Sequence, residues 1–326
     1  MAAEVKITML GVSGAGKTCY MLGLYSTMQL GLQGFTLTTT DMDEDLRLTS
    51  LWERMVDSEG EDRWPAGTSE PHEYEFDFCY GMRRLISFDW LDYRGGAMKD
   101  VSTQDDVQVL TKRLRGSNCI FLCVSGEDLK EEVSSPIELK NIARKSGIDR
   151  MNKFLTILTN NLSDSQRPFP IVILITKYDQ CQKRTKEKLI EDIKQMFNVL
   201  FMPNQDWLIM LCPVSLGKDL ATNRDEGEID PKNLHLPLVF ALYARFREYA
   251  MTEQARLNEA RIKLDILRGG NWFQRLLAGD EMQNTESSLQ ATEAQLQDIQ
   301  KKMALLSQEL THAQIFRGGK EIQVDV

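Results

Sequence analysis

The chain has 326 residues, and its 39 Lys and Arg against 48 Asp and Glu give a formal net charge of −9. This length fits one large domain with an appendage or two modest domains, and a hydrophobic content of 42% is enough for a buried core. Acidity argues against binding of nucleic acid across a broad basic surface, because phosphate neutralisation supplies most of such affinity. We therefore expect no nucleic-acid partner.

The cysteines and the apolar runs bear on compartment. Six cysteines lie scattered along the chain, without the paired spacing of a zinc site or a disulfide framework. No run of 18 apolar residues is present, and the start MAAEVKITML lacks the basic region of a signal peptide. These features predict a cytoplasmic protein, with a peripheral position at a membrane as the alternative.

Strands and helices alternate over the first 250 residues. A strand with half-exposed alternation is predicted at 73–80, and it would form a hairpin with the next strand. Short, continuously apolar runs predict buried strands at 5–12, 84–89, 119–124, 171–176 and 207–214. Helices are predicted near 17–30, 104–115, 137–162 and 185–200. This alternation predicts an α/β fold of three layers around a mostly parallel six-stranded sheet.

The periodicity changes beyond about Leu236. Apolar residues then recur at alternating steps of three and four, in two segments separated by the glycine-containing stretch 268–280. Such heptads are typical of coiled coils, and two arms with a break most simply form an antiparallel hairpin. We therefore predict two domains, 1–250 and 251–326, the second being a helical coiled-coil hairpin with a tail.

Residues 11–18 read G-x-x-x-x-G-K-T between a predicted strand and a predicted helix. The glycines allow backbone N–H groups to point at phosphates, and the helix N-terminus adds partial positive charge. Lys17 is predicted to reach the β and γ phosphates, and the Thr18 hydroxyl is predicted to bind Mg²⁺. The candidate phosphate-binding residues are Gly11, Ser13, Gly14, Ala15, Gly16, Lys17, Thr18 and Cys19.

Two later elements concern the base. Residues 176–179, T-K-Y-D, follow a buried strand and resemble the T/N-K-x-D element of the Ras-like and translation-factor GTPases. The resemblance implies that Asp179 accepts hydrogen bonds from guanine N1–H and its amino group, and that the Lys177 stem lies along the base. Ser215 and Leu216 resemble the loop that contacts guanine from the other side in this class, although the sequence departs from the common S-A-K.

Residues 92–95, D-Y-R-G, match the D-x-x-G element. In the class this aspartate holds Mg²⁺ through a water, and the glycine N–H senses the γ-phosphate, which gives these roles to Asp92 and Gly95. All the elements fall in the order that the class requires, each at a strand end. About residues 5–250 therefore resemble a TRAFAC-class P-loop GTPase, which implies GTP and GDP as substrate and product with Mg²⁺ as cofactor.

The resemblance also implies a switch threonine that binds Mg²⁺ and the γ-phosphate. We favour Thr68, because it directly precedes the predicted hairpin, and Thr36 to Thr40 is the alternative. With Thr68, residues 35–62 become an inserted strand and acidic helix. The W-P-A-G-T segment 64–68 resembles bacterial families associated with conflict or signalling systems. Residues 41–62 carry nine acidic and two basic side chains, a local −7, and so are a candidate surface for a basic partner.

Hydrolysis needs a group that positions water, commonly a glutamine just after D-x-x-G. Gly96 follows here, so we expect slow turnover without a partner. Arg94 and Arg63 are candidate arginine fingers, with a solvated surface position as the alternative for each. The catalytic candidates are thus Lys17, Thr68, Arg94 and Gly95, and the metal candidates are Thr18, Thr68 and Asp92.

The predicted tip of the hairpin carries a small apolar face. This face could fold back on the arms, dock a protein partner, or enter a membrane surface as in dynamin-like GTPases. Its residues are Trp272, Phe273, Leu276 and Leu277. The tail 322–326 could add a strand to a sheet edge or be disordered. The sequence favours a GTP-hydrolysing switch that signals to a protein effector or regulator, with a possible homo-oligomer through the coiled coil. A hydrolysis-poor scaffold, a membrane-acting GTPase and a metabolic ATPase or kinase are the alternatives.

Overall fold

The structure is a computed structural model with two compact units. It describes residues 5–58, 60–67, 71–93, 104–162, 168–181, 183–203, 205–218, 220, 227–269 and 279–324. The first unit comprises Met1–Ala241 together with His312–Val324, and the second is formed by Leu242–Thr311. The first part of this unit therefore ends before residue 250, where the sequence predicts the domain boundary, and the unit also includes most of the predicted tail.

Nine strands of the first unit form one sheet, in the order β11-β10-β7-β6-β5-β1-β4-β3-β2, and β8 and β9 form a separate hairpin. The strands are β1 Val5–Leu10, β2 Phe35–Thr39, β3 His72–Tyr80, β4 Arg83–Asp92, β5 Cys119–Ser125, β6 Phe169–Thr176, β7 Trp207–Pro213, β8 Ser215–Lys218, β9 Glu228–Lys232, β10 Gln314–Arg317 and β11 Lys320–Ile322. The predicted count of six is too low for the described residues, because β2 extends one edge of the predicted sheet and β10 and β11 extend the other.

The five central strands, β4, β1, β5, β6 and β7, run parallel. Every residue of β5 is buried, as expected for a strand that is covered on both faces. Because parallel strands end on the same side of a sheet, the last residues of β1, β4, β5, β6 and β7 lie along one side of it. Ligands of open α/β sheets bind beyond these strand ends.

Helices connect these strands and follow them: α1 Lys17–Gln29, α2 Met42–Asp57, α3 Gln104–Arg115, α4 Pro136–Lys145, α5 Ile148–Leu162, α6 Lys186–Met196, α7 Asn198–Phe201, α8 Leu236–Gly269 and α9 Gly279–Glu309. The single helix predicted at 137–162 is wrong. It is divided at Gly147, whose φ of 77° is left-handed and which has no room for a side chain, since a Cβ there would lie 2.3 Å from Val12 Cγ1.

The segment 35–62 contains the strand β2 and the acidic helix α2. The Asp41 carboxylate caps α2 by accepting hydrogen bonds from the backbone N–H groups of Asp43 and Glu44. Leu48 and Met55 are buried on the inner face of the helix. A 3₁₀ turn at Gly60–Arg63 then leads towards residues 64–67.

The end of the chain adds two strands to the sheet. β10 pairs antiparallel with β7, with Ile315 opposite Met210, and β11 folds back on β10. Phe316 is buried, and the Lys194 ammonium lies 4.3 Å from the centre of its ring. Among the described residues, the strands added at this sheet edge are Gln314–Arg317 and Lys320–Ile322, so they include only the first residue of the predicted tail strand at 322–326.

The second unit consists of most of α8 and all of α9. Arg261 pairs with Glu293 at 2.9 Å, and Arg268 pairs with Glu286 at 2.7 Å. Later residues of α8 therefore pair with earlier residues of α9. The two helices are therefore antiparallel. The predicted apolar face at 272–277 lies outside the described residues. Among the described helices, none has an apolar stretch of the length needed to cross a bilayer.

Candidate nucleotide-binding site

The loop between β1 and α1 has a backbone that requires glycine. Gly14 and Gly16 have φ values of 79° and 80°, in the left-handed region that other residues avoid. At Gly11 an added Cβ would lie 2.8 Å from the Cys123 carbonyl oxygen on β5. The loop is therefore packed directly on β5, at the start of the α1 helix.

Lys17 is buried, and its ammonium points back at the loop. Nζ donates to the carbonyl oxygens of Gly11 at 3.0 Å and of Val12 at 3.4 Å. Both acceptors are neutral, whereas hydrogen bonds from an ammonium to a phosphate are charge-assisted and about twice as strong. Phosphate oxygens in this loop would therefore compete well for the ammonium, as the sequence predicts for Lys17.

The Ala15 carbonyl joins the loop to two central strands. It accepts a hydrogen bond from Thr176 Oγ1 at 2.7 Å and a second from Cys123 Sγ at 3.1 Å. Thr176 ends β6 and opens the T-K-Y-D sequence, so one hydroxyl connects the predicted phosphate and base elements. Sequence reasoning gave neither Thr176 nor Cys123 this role, because the contacts cross 161 and 108 residues of chain.

Thr18 and Asp92 form the candidate magnesium site. The Thr18 hydroxyl donates to Asp92 Oδ2 at 3.0 Å, and Asp92 is fully buried at the end of β4. A hydroxyl and a carboxylate are the oxygen donors that Mg²⁺ prefers, together with waters and substrate phosphates. The donor set therefore fits this ion. The described residues contain no group of three or more His, Cys, Asp and Glu that could hold a metal by themselves.

Asp179 is held on both sides. Ser215 Oγ donates to its Oδ1 at 3.0 Å, and Gln180 Nε2 donates to its Oδ2 at 2.9 Å. The Ser215 hydroxyl also accepts from the backbone N–H of Gly217 at 3.1 Å. The two segments that the resemblance assigns to guanine are therefore in direct contact with each other. Gln180 is an additional partner, which sequence reasoning missed.

These elements line one cavity of about 360 Å³. The predicted phosphate loop (residues 11–18) lines one part of it and the predicted base loop (residues 176–179) lines another, and an apolar wall comes from Trp64, Pro65 and Leu216. Its lining residues are Ser13, Gly14, Gly16, Lys17, Thr18, Cys19, Tyr20, Trp64, Pro65, Ala66, Gly67, Thr176, Lys177, Asp179, Val214, Ser215, Leu216, Gly217, Leu220 and Leu234. Gly11 and Ala15 act behind this surface, through the contacts described above.

The two candidate positions for the switch threonine, Thr68 and residues 36–40, belong to different segments of the first unit. Thr68 lies outside the described residues, but the preceding Gly67 lines the cavity, and a Cβ on it would lie 3.8 Å from Ser13 Oγ. Thr36 and Thr39 belong to the outermost strand, β2. In the strand register, Thr39 of β2 lies opposite Phe76 of β3, Phe76 lies opposite Phe88 of β4, and Phe88 lies opposite Val5 of β1. Val5 is the first residue of β1, so Thr39 lies towards the end of the sheet that is opposite to the phosphate loop. The alternative at residues 36–40 is therefore disfavoured by its position.

The two candidate arginine fingers also differ. Arg63 is buried, and its Nε donates to the Ser58 carbonyl oxygen at 2.9 Å, just beyond the end of α2. It is therefore not a solvated surface side chain, and this bond directs it towards the helix end. Arg94 and Gly95 lie outside the described residues.

Cys19 is a partly buried thiol in the wall of the cavity. Burial raises the pKa of this thiol to about 11, against the opposing effect of the Lys177 charge. The thiol is therefore protonated at neutral pH, and it contributes its shape and a weak S–H donor at this position rather than a charge.

No family model matches the chain. No curated protein matches it either. Among solved structures, the S. cerevisiae Ski7 GTPase-like domain bound to GDP and inorganic phosphate is similar to it, with 13% identity over 74% of this chain and 49% of that chain and a TM-score of 0.42. The same domain bound to GTP gives 14% identity over 73% and 50% of the two chains and a TM-score of 0.38. The mammalian SRP receptor gives 12% identity over 65% and 91%, with a TM-score of 0.34.

The chain thus spans about half the length of the Ski7 chains that it matches. The site residues themselves point to the function of the chain. Their setting is a mixed α/β fold with a large, mostly parallel sheet, and a glycine-rich loop joins its central strand β1 to the helix α1.

Proposed function

We propose that the chain is a TRAFAC-class P-loop GTPase that binds GTP with Mg²⁺ and hydrolyses it to GDP and phosphate. The observation that carries this proposal is the cavity that the phosphate loop shares with the base loop. Lys17 and Thr18 line one part of it, and Asp179, held by Ser215, lines another. Such a cavity matches a ligand with an anionic end and a base with two neighbouring N–H donors.

At the phosphate end, the backbone N–H groups of the loop and the N-terminus of α1 attract anionic oxygens. Lys17 would exchange its carbonyl acceptors for phosphate oxygens. Thr18 and Asp92 would hold Mg²⁺, which supplies charge neutralisation at the β and γ phosphates when it is bound. The burial of Asp92 strengthens its electrostatic effect, because the local dielectric constant is low.

At the base end, the Asp179 carboxylate would accept hydrogen bonds from guanine N1–H and the exocyclic amino group. Adenine offers no such pair of donors on that edge. The hydrogen bonds from Ser215 and Gln180 fix the carboxylate plane before the base arrives, which reduces the entropy lost on binding.

The switch function would come from contacts that only GTP can make. Thr68 and Gly95 would bind the γ-phosphate and be released by hydrolysis, which is how such loops change between an ordered and a disordered state. Gly96 stands where a glutamine commonly positions water, so turnover is expected to be slow without a partner. Arg94 stays the candidate finger, since Arg63 is engaged at the end of α2.

The helical unit would transmit the nucleotide state to a protein effector or regulator. Its antiparallel helices bury the predicted seam residues Leu257, Leu264, Leu296 and Ile299, as a coiled-coil hairpin does. The same arm is a candidate surface for a homo-oligomer. A second candidate function, a scaffold that binds GTP with little hydrolysis, is favoured by Gly96. A membrane-acting role would depend on residues 272–277.

The substitution Asp179→Asn tests the choice of base. An asparagine amide offers one donor and one acceptor, which suits the 2-oxo group of xanthine and not the amino group of guanine. We expect the affinity for GDP to fall about 10- to 100-fold, as for hydrogen bonds to a charged group, and the affinity for XDP to rise. An unchanged preference among GDP, XDP and ADP would favour the ATPase or kinase alternative.

Single-turnover hydrolysis of bound GTP separates the switch from the scaffold. The wild type is compared with Lys17→Ala, which removes the ammonium from the phosphate loop. Product formation by the wild type above the uncatalysed rate, lost in the variant, supports hydrolysis by this site. Tight GTP binding with no product above the uncatalysed rate would establish the scaffold instead.

A further inference from the structure

The Lys177 ammonium is paired with a residue outside the recognised motifs. Its Nζ donates to Glu127 Oε2 at 3.1 Å. Glu127 lies in the 3₁₀ turn Gly126–Leu129, which directly follows β5. Neither side chain is deeply buried, with 33% of the Lys177 side chain and 57% of the Glu127 side chain exposed. The turn therefore presents a carboxylate to the lysine of the T-K-Y-D sequence.

This turn is packed tightly against the base loop. A Cβ at Gly126 would lie 2.5 Å from the Lys177 carbonyl oxygen and 2.8 Å from that of Thr176. Cys181 Sγ donates to the Gly126 carbonyl oxygen at 3.3 Å, and Arg184 Nη1 donates to that of Leu129 at 2.9 Å. These contacts fix the backbone next to Glu127 relative to Lys177, Cys181 and Arg184. The carboxylate therefore has a defined position beside Lys177.

Lys177 has a special backbone as well. Its φ of 49° is left-handed, which is uncommon for a residue with a side chain. Lys177 is one of the residues that line the cavity, and the tip of its side chain is held by Glu127. The hydrogen bond and charge of Lys177 lower the pKa of Glu127. The carboxylate is therefore ionised at neutral pH, and the contact is a charged hydrogen bond.

We propose that Glu127 is a positioning residue for the guanine site, because it holds the Lys177 ammonium so that the aliphatic stem lines the cavity where the base binds. This inference rests on the proposed function. A free lysine has four rotatable bonds, and ordering such a side chain on binding costs affinity. A side chain that is already held at its tip loses less freedom when the nucleotide arrives.

The same turn offers a matched control. Asp128, the next residue, pairs with Lys145 at 2.9 Å and does not line the cavity. Asp128→Asn removes one negative charge and one ion pair from this turn without touching Lys177. Glu127→Gln removes one charge from the same turn and keeps the shape of the side chain.

The test measures the dissociation constant for GDP by titration calorimetry with the full chain. Glu127→Gln is expected to weaken binding about two- to fivefold, the range of a partly exposed ion pair. Asp128→Asn is expected to bind like the wild type. In a Lys177→Met background, Glu127→Gln is expected to have no further effect, since methionine keeps a stem and lacks the ammonium. High salt should reduce the difference between wild type and Glu127→Gln.

Several results would overturn the inference. Glu127→Gln could bind GDP as tightly as the wild type, or more tightly, in which case Glu127 does not preorganise Lys177. An equal loss in the Lys177→Met background would mean that Glu127 acts through something else. Failure of the wild type to bind GDP would overturn the proposed function and this inference with it, whereas the other two results leave the proposed function intact.

Discussion

The hydroxyl of Thr18, in the first turn of α1, donates a hydrogen bond of 3.0 Å to the carboxylate of Asp92, the last residue of β4. The two residues are separated by 74 positions, yet β1 and β4 are adjacent parallel strands, with Met9 opposite Asp92. Adjacent strand ends therefore place a hydroxyl and a buried carboxylate together. This pairing gives the D-x-x-G aspartate a location next to the phosphate loop.

Asp92→Asn should make GTP binding far less dependent on Mg²⁺. The neutral amide lacks the charge that a divalent cation needs in a buried site, so we expect the affinity for Mg·GTP to fall about tenfold or more, as for loss of a charged partner. Affinity for GDP in the presence of a chelator should change little. Titrations at several Mg²⁺ concentrations measure both. Asp206→Asn, which breaks a surface pair with Arg317, is the control, and equal Mg²⁺ dependence of the Asp92 variant and the wild type would contradict the assignment.

Thr68→Ala should weaken binding of a non-hydrolysable GTP analogue and leave GDP binding nearly unchanged. Only the triphosphate has the γ-phosphate that this hydroxyl is proposed to contact. The matched control is Thr38→Ala on β2, an exposed threonine of the alternative segment. We expect it to bind both nucleotides like the wild type. A selective loss of analogue binding in Thr38→Ala, with none in Thr68→Ala, would return the switch to residues 36–40.

Gly126→Ala should destabilise the first unit and weaken nucleotide binding together. Its Cβ would press on the carbonyl oxygens of Lys177 and Thr176, which belong to backbone and must move. Overpacking of this kind costs about 1–3 kcal/mol of the free energy of unfolding. Gly116→Ala is the control, since the nearest atom to its Cβ would be 3.5 Å away. Thermal unfolding measures stability, and an equal Tm for Gly126→Ala and Gly116→Ala would contradict the expected steric clash.

Cys19 should react with iodoacetamide slowly at neutral pH, and faster as the pH rises. Burial raises the pKa of this thiol from 9.0 to about 11, so at pH 8 the reactive thiolate is roughly a hundredfold scarcer than for a thiol with the ordinary value. The rate should increase about tenfold for each pH unit between 7 and 9. Lowering the pH has the opposite effect, because it protonates the thiolate.

The labelling is best measured by peptide mass spectrometry in a Cys79→Ser background, which removes the other partly exposed cysteine. Bound GDP should slow the reaction further, since Cys19 lines the cavity. A rate at pH 8 equal to that of the unfolded chain would show that burial does not control this thiol.

The sequence predicts much of the central sheet because its strands are short apolar runs that are buried on both faces. β5 and β6 follow the predicted 119–124 and 171–176 to within two residues at each end. The phosphate loop is predictable for a related reason: Gly14 and Gly16 satisfy local backbone requirements that a short motif reveals. In both cases the signal is local.

The features that escaped prediction depend on contacts between distant segments. The pairing of Ile315 with Met210 leaves no pattern in a four-residue strand that directly follows a long heptad segment. Similarly, Glu127 is an ordinary exposed carboxylate until the fold brings the turn after β5 beside Lys177. Gln180 and Thr176 gain their roles in the same way. A single sequence holds no sign of such pairings.

Because β10 belongs to the sheet of the first unit, the helical unit is an insertion in the first unit and not an appendage to it. The helical unit begins at Leu242 and ends at Thr311, and the segments on both sides of it belong to the first unit. Cutting the gene after codon 250 would therefore remove β10 and leave the hydrogen-bonding edge of β7 exposed, where unpaired strands promote aggregation. Isolating the first unit, with the proposed nucleotide site, calls for internal excision that keeps residues 312–324.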